Sequence, residues 1–411
     1  MPRNCFLDKH LNDTRFIYNK YVEEYLKCIK ENRLPEYKDY NELRAEHEFL
    51  KGSSSWSLQQ VLYKFKQTNK INRSKRSNGQ KVGLVKFRSK KSHSDYFYIQ
   101  GVKLSYNLDC KSKSYVYIPK IGLVKFKCKN IKSEFLNGKI KTCTVKRTKT
   151  GVYKISLLVE VNKVYEERKD NKHVGLDFSL RDFFVDSFGA FAPEFSTKRS
   201  KLESFQNKID SINERISKMR NKSKKKRKVS VKVHRLAMKR NKLYERVHNV
   251  QVDYINKLSR DLCKHNELIV LENLNLQEMS EHTSYLDAKT SSKGGNHGKS
   301  VSLLQWSYFL KKLEENSEKF GNIIVLADKF FPSSQICSKC GERHSEMKDI
   351  TDRTLKCKCG NIIDRDYNSA INLLKFGESV VYNKSHQTLG KELSEYKAFK
   401  CLDFQDQKHL N

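Results

Sequence analysis

The sequence predicts a multidomain α+β protein: a helical N-terminal part, a strand-rich middle and an α/β C-terminal part carrying a metal-type cysteine cluster. Three observations lead there. Residues 1–75 place apolar side chains at helical spacing, and residues 81–165 break into short β-branched and aromatic runs. Beyond residue 172, strand-like and helix-like segments alternate up to two cysteine pairs.

At 411 residues the chain has room for two or three domains. Lysine and arginine number 82 against 47 acidic residues, a formal charge of +35. Such a surplus calls for a polyanionic partner, and nucleic acid is the commonest one. An anionic membrane surface is the rival. No run of about 18 apolar residues suggests a spanning helix, however, and the start MPRNCFLDKHLND lacks the apolar core of a signal peptide. The expectation is a soluble, intracellular, cytoplasmic monomer, nucleoid-associated if bacterial.

In the first part, RFIYNKYVEEYLKCIKE sets Phe16, Tyr18, Tyr21 and Leu26 among charges at helical spacing. SSSWSLQQVLYKFKQT opens on serine caps and continues through Trp56, Leu58, Val61, Leu62 and Phe65. The middle part reads VGLVKFRS, DYFYIQGVKLSYNL, SYVYIPKIGLVKFK and IKTCTVKRTKTGVYKISLLVEVN, a pattern for a small antiparallel barrel or sandwich. Its aromatics Tyr96, Phe97, Tyr98, Tyr106, Tyr115 and Tyr117 could stack on bases, although strand aromatics more often fill a core.

HVGLDFSLRDFFVDSFG then reads as two strands around a polar turn, and residues 196–250 as a long basic helical stretch. Ile209, Ile212, Ile216 and Met219 mark its apolar face, interrupted by NKSKKKRK at 221–228. Over 198–248, 19 basic residues minus 4 acidic ones give +15, more than solubility needs. Lys222, Lys224, Lys225, Lys226, Arg227, Lys228, Arg235, Lys239 and Arg240 are accordingly candidate phosphate contacts that carry no sequence reading. ELIVLENL is a short buried strand, TSSKGGNHGKS a flexible loop, LLQWSYFLKKLEENSEKFG a helix and IIVLADKFFP a strand. The tail after Gly377 is weakly patterned and expected to be partly disordered.

Of eleven cysteines, Cys5, Cys28, Cys110, Cys128, Cys143, Cys263 and Cys401 are scattered. The other four read C-x-x-C, sixteen residues, C-x-C: Cys337, Cys340, Cys357 and Cys359, each pair followed by glycine. Four thiolates in two turn-forming pairs suit a closed, structural zinc ribbon, with an iron–sulfur cluster as the lesser alternative.

Three acids sit where lone carboxylates are costly. Asp177 follows a strand in HVGLDFSL, Glu272 ends the apolar strand LIVLE, and Asp366 opens the helical run YNSAINLL. Carboxylates from three separate segments of an α/β domain are what a two-metal phosphodiester site needs, with Mg²⁺ ions about 4 Å apart. Asp364 competes with Asp366 for the third role or caps the helix, and Asn368 and Asn372 either orient the site or lie exposed.

GLDFSL, VLENLNL, FPSSQICSKCG and CKCGNIIDRDYNSAINLL, in that order, resemble the TnpB family of transposon-encoded RNA-guided nucleases, ancestral to type V CRISPR effectors. TRFIYNKYVEEY and IPKIGLVKFK resemble its N-terminal half more weakly, so the likeness covers roughly 1–377. It implies a helical recognition lobe at 1–80 and a β-barrel wedge domain at 81–170. An RNase H-like (RuvC) nuclease domain with basic helices would follow at 171–335, a zinc ribbon insertion at 336–362, the last RuvC segment at 363–377 and a tail at 378–411. It further implies catalysis by Asp177, Glu272 and Asp366 with Mg²⁺, structural Zn²⁺, a guide RNA and double-stranded target DNA. The family commonly has C-x-x-C where this chain has C-x-C at Cys357 and Cys359. A catalytically idle regulator on the same fold and a DDE-type transposase are the competing expectations.

Overall fold

The computed structural model describes residues 5–90, 95–105, 114–128, 131, 133–162, 165–222, 231–274, 304–328, 330–348 and 352–382. Two compact units divide the chain, Met1–Asn162 and Lys163–Asn411.

The first unit begins with helices α1 (Cys5–Glu31), α2 (Tyr40–Glu46) and α3 (Ser55–Ser77). Serine capping holds as expected, since the Ser54 hydroxyl accepts from the Ser57 amide. Ile17, Tyr21 and Val22 of α1 pack against Leu58 and Phe65 of α3, with Leu43 and Leu50 closing the cluster. VGLVKFRS forms no strand. The Asn19 side chain bonds both the amide and the carbonyl of Arg88, and the Arg76 guanidinium reaches the Val82 and Gly83 carbonyls. Side chains thus take backbone groups at both ends of the segment that a ladder would otherwise use.

The strand-rich part of this unit has β1 (Tyr96–Ile99), β2 (Lys103–Ser105), β3 (Tyr115–Ile118), β4 (Gly122–Lys125), a one-turn helix α4 (Ser133–Asn137), β5 (Lys139–Arg147) and β6 (Tyr153–Glu160). These make two three-stranded antiparallel sheets, β1–β5–β6 and β2–β3–β4. The expected barrel is therefore not closed among the described residues. Alternation turns Phe97 and Ile99 of one sheet and Val116 and Ile118 of the other into a common core with Cys143 and Val145. Facing sheets that share a core satisfy their apolar faces without closure. Tyr96 and Tyr98 are half-buried on the opposite face, Tyr117 is exposed, and Tyr106 lies outside the described residues.

In the second unit come β7 (Lys172–Ser179), β8 (Phe183–Asp186), α5 (Phe195–Lys222), α6 (Val231–His265) and β9 (Asn266–Glu272). They are followed by α7 (Trp306–Phe320), β10 (Ile323–Ala327), the hairpin β11 (Thr354–Lys356)–β12 (Ile362–Asp364), and α8 (Arg365–Tyr382). The main sheet has the order β10–β9–β7–β8, with β7 antiparallel to β8 and parallel to β9, and β9 parallel to β10. Both faces are covered. Val174, Leu176, Ile269 and Leu271 meet Trp306, Phe309 and Leu313 on one side, where burying a ring such as Phe309 contributes about 2 kcal/mol. Leu268, Val270 and Val325 meet Leu373 and Phe376 of α8 on the other.

Helices α5 and α6 join along the apolar face the sequence marks: Ile209, Ile212 and Ile216 pack against Val233, Leu243 and Val247. Residues 223–228 of the basic run, the TSSKGGNHGKS segment and residues 383–411 lie outside the described residues. Helix α8 continues to Tyr382, past the Gly377 at which the expected nuclease segment ends. Among the described residues, no helix is long and apolar enough to cross a membrane.

Candidate active site and metal centre

Strand periodicity decides which side chains meet. Residues 173, 175 and 177 of β7 point to the α8 face, opposite Val174 and Leu176. The parallel register pairs Leu176 with Leu271, so Asp177, near the end of β7, and Glu272, the last residue of β9, share that same face. Gly175 is the reason α8 sits so close. A β-carbon on residue 175 would lie 2.1 Å from the Ala370 carbonyl oxygen and 2.7 Å from the Leu374 nitrogen. The helix therefore runs backbone-to-backbone over β7 and brings its first turn, with Asp366, to the two strand acids.

Each acid has its own support. Asp177, 8% exposed, accepts the Ser369 hydroxyl at 2.7 Å through Oδ1. The Ser333 hydroxyl donates to Glu272 Oε1 at 2.5 Å. Asp366 Oδ2 lies 3.4 Å from a guanidinium nitrogen of Arg353, from the ribbon. Asp364 is the helix cap: its Oδ1 accepts from the amides of Asp366 at 2.9 Å and Tyr367 at 3.1 Å. That spends its side chain on backbone and leaves Asp366 as the acid facing the strands.

Electrostatics mark the three as one group. Burial, and then the charge of Glu272, push the Asp177 carboxyl well above its ordinary range. Burial raises Glu272, with Asp366 adding to it, and burial raises Asp366 despite the opposing Arg353. Carboxylates held together in this way need protons or a cation, and their hard oxygen donors fit Mg²⁺.

The four cysteines also converge. Their Sγ atoms all lie within 4.8 Å of one another, with Cys337–Cys359 at 3.7 Å and Cys340–Cys357 at 3.4 Å. Tetrahedral zinc with bonds of about 2.3 Å sets sulfurs about 3.8 Å apart, so the donor set fits. Both halves turn alike: Gly341 donates to the Cys337 carbonyl and Gly360 to that of Cys357, each glycine at positive φ. The shorter C-x-C loop thus still makes a knuckle. Burial raises the Cys337 thiol, but hydrogen bonds from the Asn361 side chain and the Cys340 and Lys339 amides outweigh it and bring it to about 6.

Asn368 and Asn372 are fully buried, against the exposed alternative. The Asn368 carbonyl accepts the Ser338 amide at 2.9 Å, and its amide donates to Ile336 O at 2.7 Å. Asn372 donates to Ser333 O at 2.8 Å and Ile336 O at 2.6 Å. Two turns of α8 therefore grip the first knuckle while β12 feeds its N-terminus. Ser369 and Ser333 were not singled out in sequence. The i, i+3 spacing from Asp366 to Ser369 carries a signal, since both lie on one helix face; Ser333 has none. Arg235 and Lys239 are exposed on α6, whereas Arg240 donates to Asn213 of α5 at 3.2 Å.

Comparison with known proteins follows the same segments. The OrfB_IS605 family model, described as "Probable transposase", matches residues 156–283, and the Cas12f1-like TNB domain model matches residues 306–373. A Streptomyces pristinaespiralis protein named "Putative RNA-guided DNA endonuclease" is 28% identical over 136 residues, 33% of this chain and 31% of its own length. The Escherichia coli K12 protein of that name, InsQ, is 24% identical over 347 residues, 82% of this chain and 78% of its own. A mimivirus protein named TnpB-like is 27% identical over 139 residues, 33% of this chain and 24% of its own. By these matches the chain is similar to TnpB-like proteins. The first model ends beyond Glu272 and the second spans the ribbon and Asp366, so both matched segments contribute to the acid cluster.

Proposed function

We propose that this protein is an RNA-guided DNA endonuclease. It hydrolyses phosphodiester bonds at Asp177, Glu272 and Asp366, and a guide RNA selects the double-stranded target. The observation that carries the reading is the convergence of three carboxylates, from β7, β9 and the first turn of α8, whose pKa values are all raised by burial. The order β10–β9–β7–β8, an antiparallel hairpin flanked by parallel strands, supports an RNase H-like (RuvC) assignment for this unit.

Magnesium bound there supplies charge stabilisation at the scissile phosphate and a water of lowered pKa. The chain's own part is to hold the ligands still. Ser369 fixes the rotamer of Asp177, Ser333 that of Glu272, and the Asp364 cap sets where α8 begins. The four cysteines would hold a structural zinc, and Asn368 and Asn372 tie the first knuckle to the helix that carries Asp366. The +35 charge, with Arg235 and Lys239 exposed on α6, supports binding of RNA and DNA through phosphates.

The test is to purify the protein with the RNA that accompanies it, sequence that RNA, and challenge the complex with plasmids carrying or lacking a matching target. Cleavage of the matched plasmid alone, with Mg²⁺ and not with chelator, is expected. Asp177→Ala, Glu272→Ala and Asp366→Ala should each abolish it while binding persists, and Asp364→Ala should keep cutting. An inactive Asp364→Ala beside an active Asp366→Ala overturns the site; cleavage without RNA or Mg²⁺ overturns the function.

A further inference from the structure

A second group of metal-type ligands adjoins the four-cysteine site and shares one member with it. Single ligand atoms of Glu342, His344 and Cys357 lie within 4.8 Å of one another. His344 is buried in the ribbon, yet its Nε2 is shielded from solvent and has no hydrogen-bond partner. Leaving an imidazole nitrogen buried and unsatisfied is unfavourable unless something occupies its lone pair. The other ring nitrogen is engaged: Nδ1 lies 3.0 Å from Glu346 Oε1. A carboxylate there places the proton on Nδ1 and frees Nε2 to bind, the arrangement by which histidine ligands of metals are oriented.

Charge points the same way. The Cys357 thiol donates to Glu342 Oε2 at 3.2 Å. Once Cys357 is a thiolate, two anions stand at that distance. One dication among four thiolates leaves that donor set at −2, and the Glu342 carboxylate adjoins it. A cation between Glu342 and Cys357 relieves this, and a thiolate has the lone pairs to bridge two ions.

We propose that the ribbon binds a second zinc-type ion, held by His344 Nε2, the Glu342 carboxylate and the Cys357 thiolate, which bridges it to the four-cysteine ion. The second site takes a borderline or soft divalent cation, because its donors are one nitrogen, one sulfur and one oxygen. Glu342 is exposed, so this ion exchanges with solvent more readily than the first. The proposal rests on the four-cysteine site holding zinc.

Native mass spectrometry of the full chain, titrated with Zn²⁺, counts the ions. Two per chain are expected at saturation in the wild type. His344→Ala should saturate at one. Glu346→Gln, at an exposed carboxylate, should weaken the second ion about 10- to 100-fold and leave the first unchanged. A wild type that saturates at one ion overturns the proposal, as does a Glu346→Gln protein that binds the second ion as tightly as wild type. A wild type holding none would instead mean that the four-cysteine reading itself has failed.

Discussion

The Ser369 hydroxyl donates to Asp177 Oδ1 across 2.7 Å, joining the second turn of α8 to the end of β7. A hydrogen bond to a charged group contributes about 1.5–3 kcal/mol, and this one also fixes which carboxylate oxygen remains open. Ser369→Ala is expected to raise the Mg²⁺ concentration for half-maximal cleavage about 10- to 100-fold, with guide-RNA affinity unchanged. A Mg²⁺ titration of cleavage rate reads this directly, and an unshifted midpoint would show that Asp177 is oriented without the serine.

The raised carboxyl pKa values have a consequence for stability. A folded-state pKa above the unfolded value means that the folded chain holds more protons between the two. Stability contributed by these groups is therefore present at low pH and lost as pH rises from about 4 through the raised values. Without divalent metal, Asp177→Asn should melt higher than wild type at neutral pH, and the gap should shrink towards pH 4. Mg²⁺ should stabilise wild type and have little effect on the variant. Thermal melts at several pH values, with and without Mg²⁺, check this; equal Mg²⁺ shifts in the two proteins would contradict it.

Asn368 is the side chain most committed to the ribbon, accepting from Ser338 and donating to Ile336. Truncation leaves the buried Ser338 amide unpaired, at a cost of about 1–3 kcal/mol, while the Ile336 carbonyl keeps the Asn372 side chain. Asn368→Ala should retain its zinc, lower the melting temperature and slow cleavage, because the start of α8 loosens. Cys337→Ser should lose both zinc and activity. Metal analysis separates the two, and zinc loss in the Asn368→Ala protein would place the asparagine's role in the metal site instead.

For the basic run in the sequence between α5 and α6, replacing Lys224, Lys225, Lys226 and Arg227 by alanine should weaken binding alike for different guide sequences. The log–log salt slope should become shallower by about one unit for each phosphate that is no longer neutralised. Affinities of guide RNA and target DNA at several salt concentrations test this, and an unchanged slope for both removes the segment from the binding surface.

Local rules in the sequence determined a good deal of this protein. The apolar face of Ile209, Ile212 and Ile216 announced the α5–α6 seam, and the serines before Trp56 marked the start of α3. The cysteine spacing announced the ribbon, and acids at the ends of apolar strands marked the candidate site. Each of these depends on residues a few positions apart, so spacing alone carries them.

Only the tertiary structure decided the rest, because there the partners are distant in sequence. VGLVKFRS has strand composition, but Asn19, far back on α1, takes both backbone groups of Arg88. Among the described residues the middle sheets share a core without closing, an outcome set by how their inward residues fill space together. Asp364 and Asp366 look alike in sequence; what separates them is that one carboxylate is consumed by the helix amides while the other faces β7 and β9. Asn368 and Asn372 look like surface residues until the first knuckle folds over them, since a buried amide side chain is stable only where backbone groups are left to receive it.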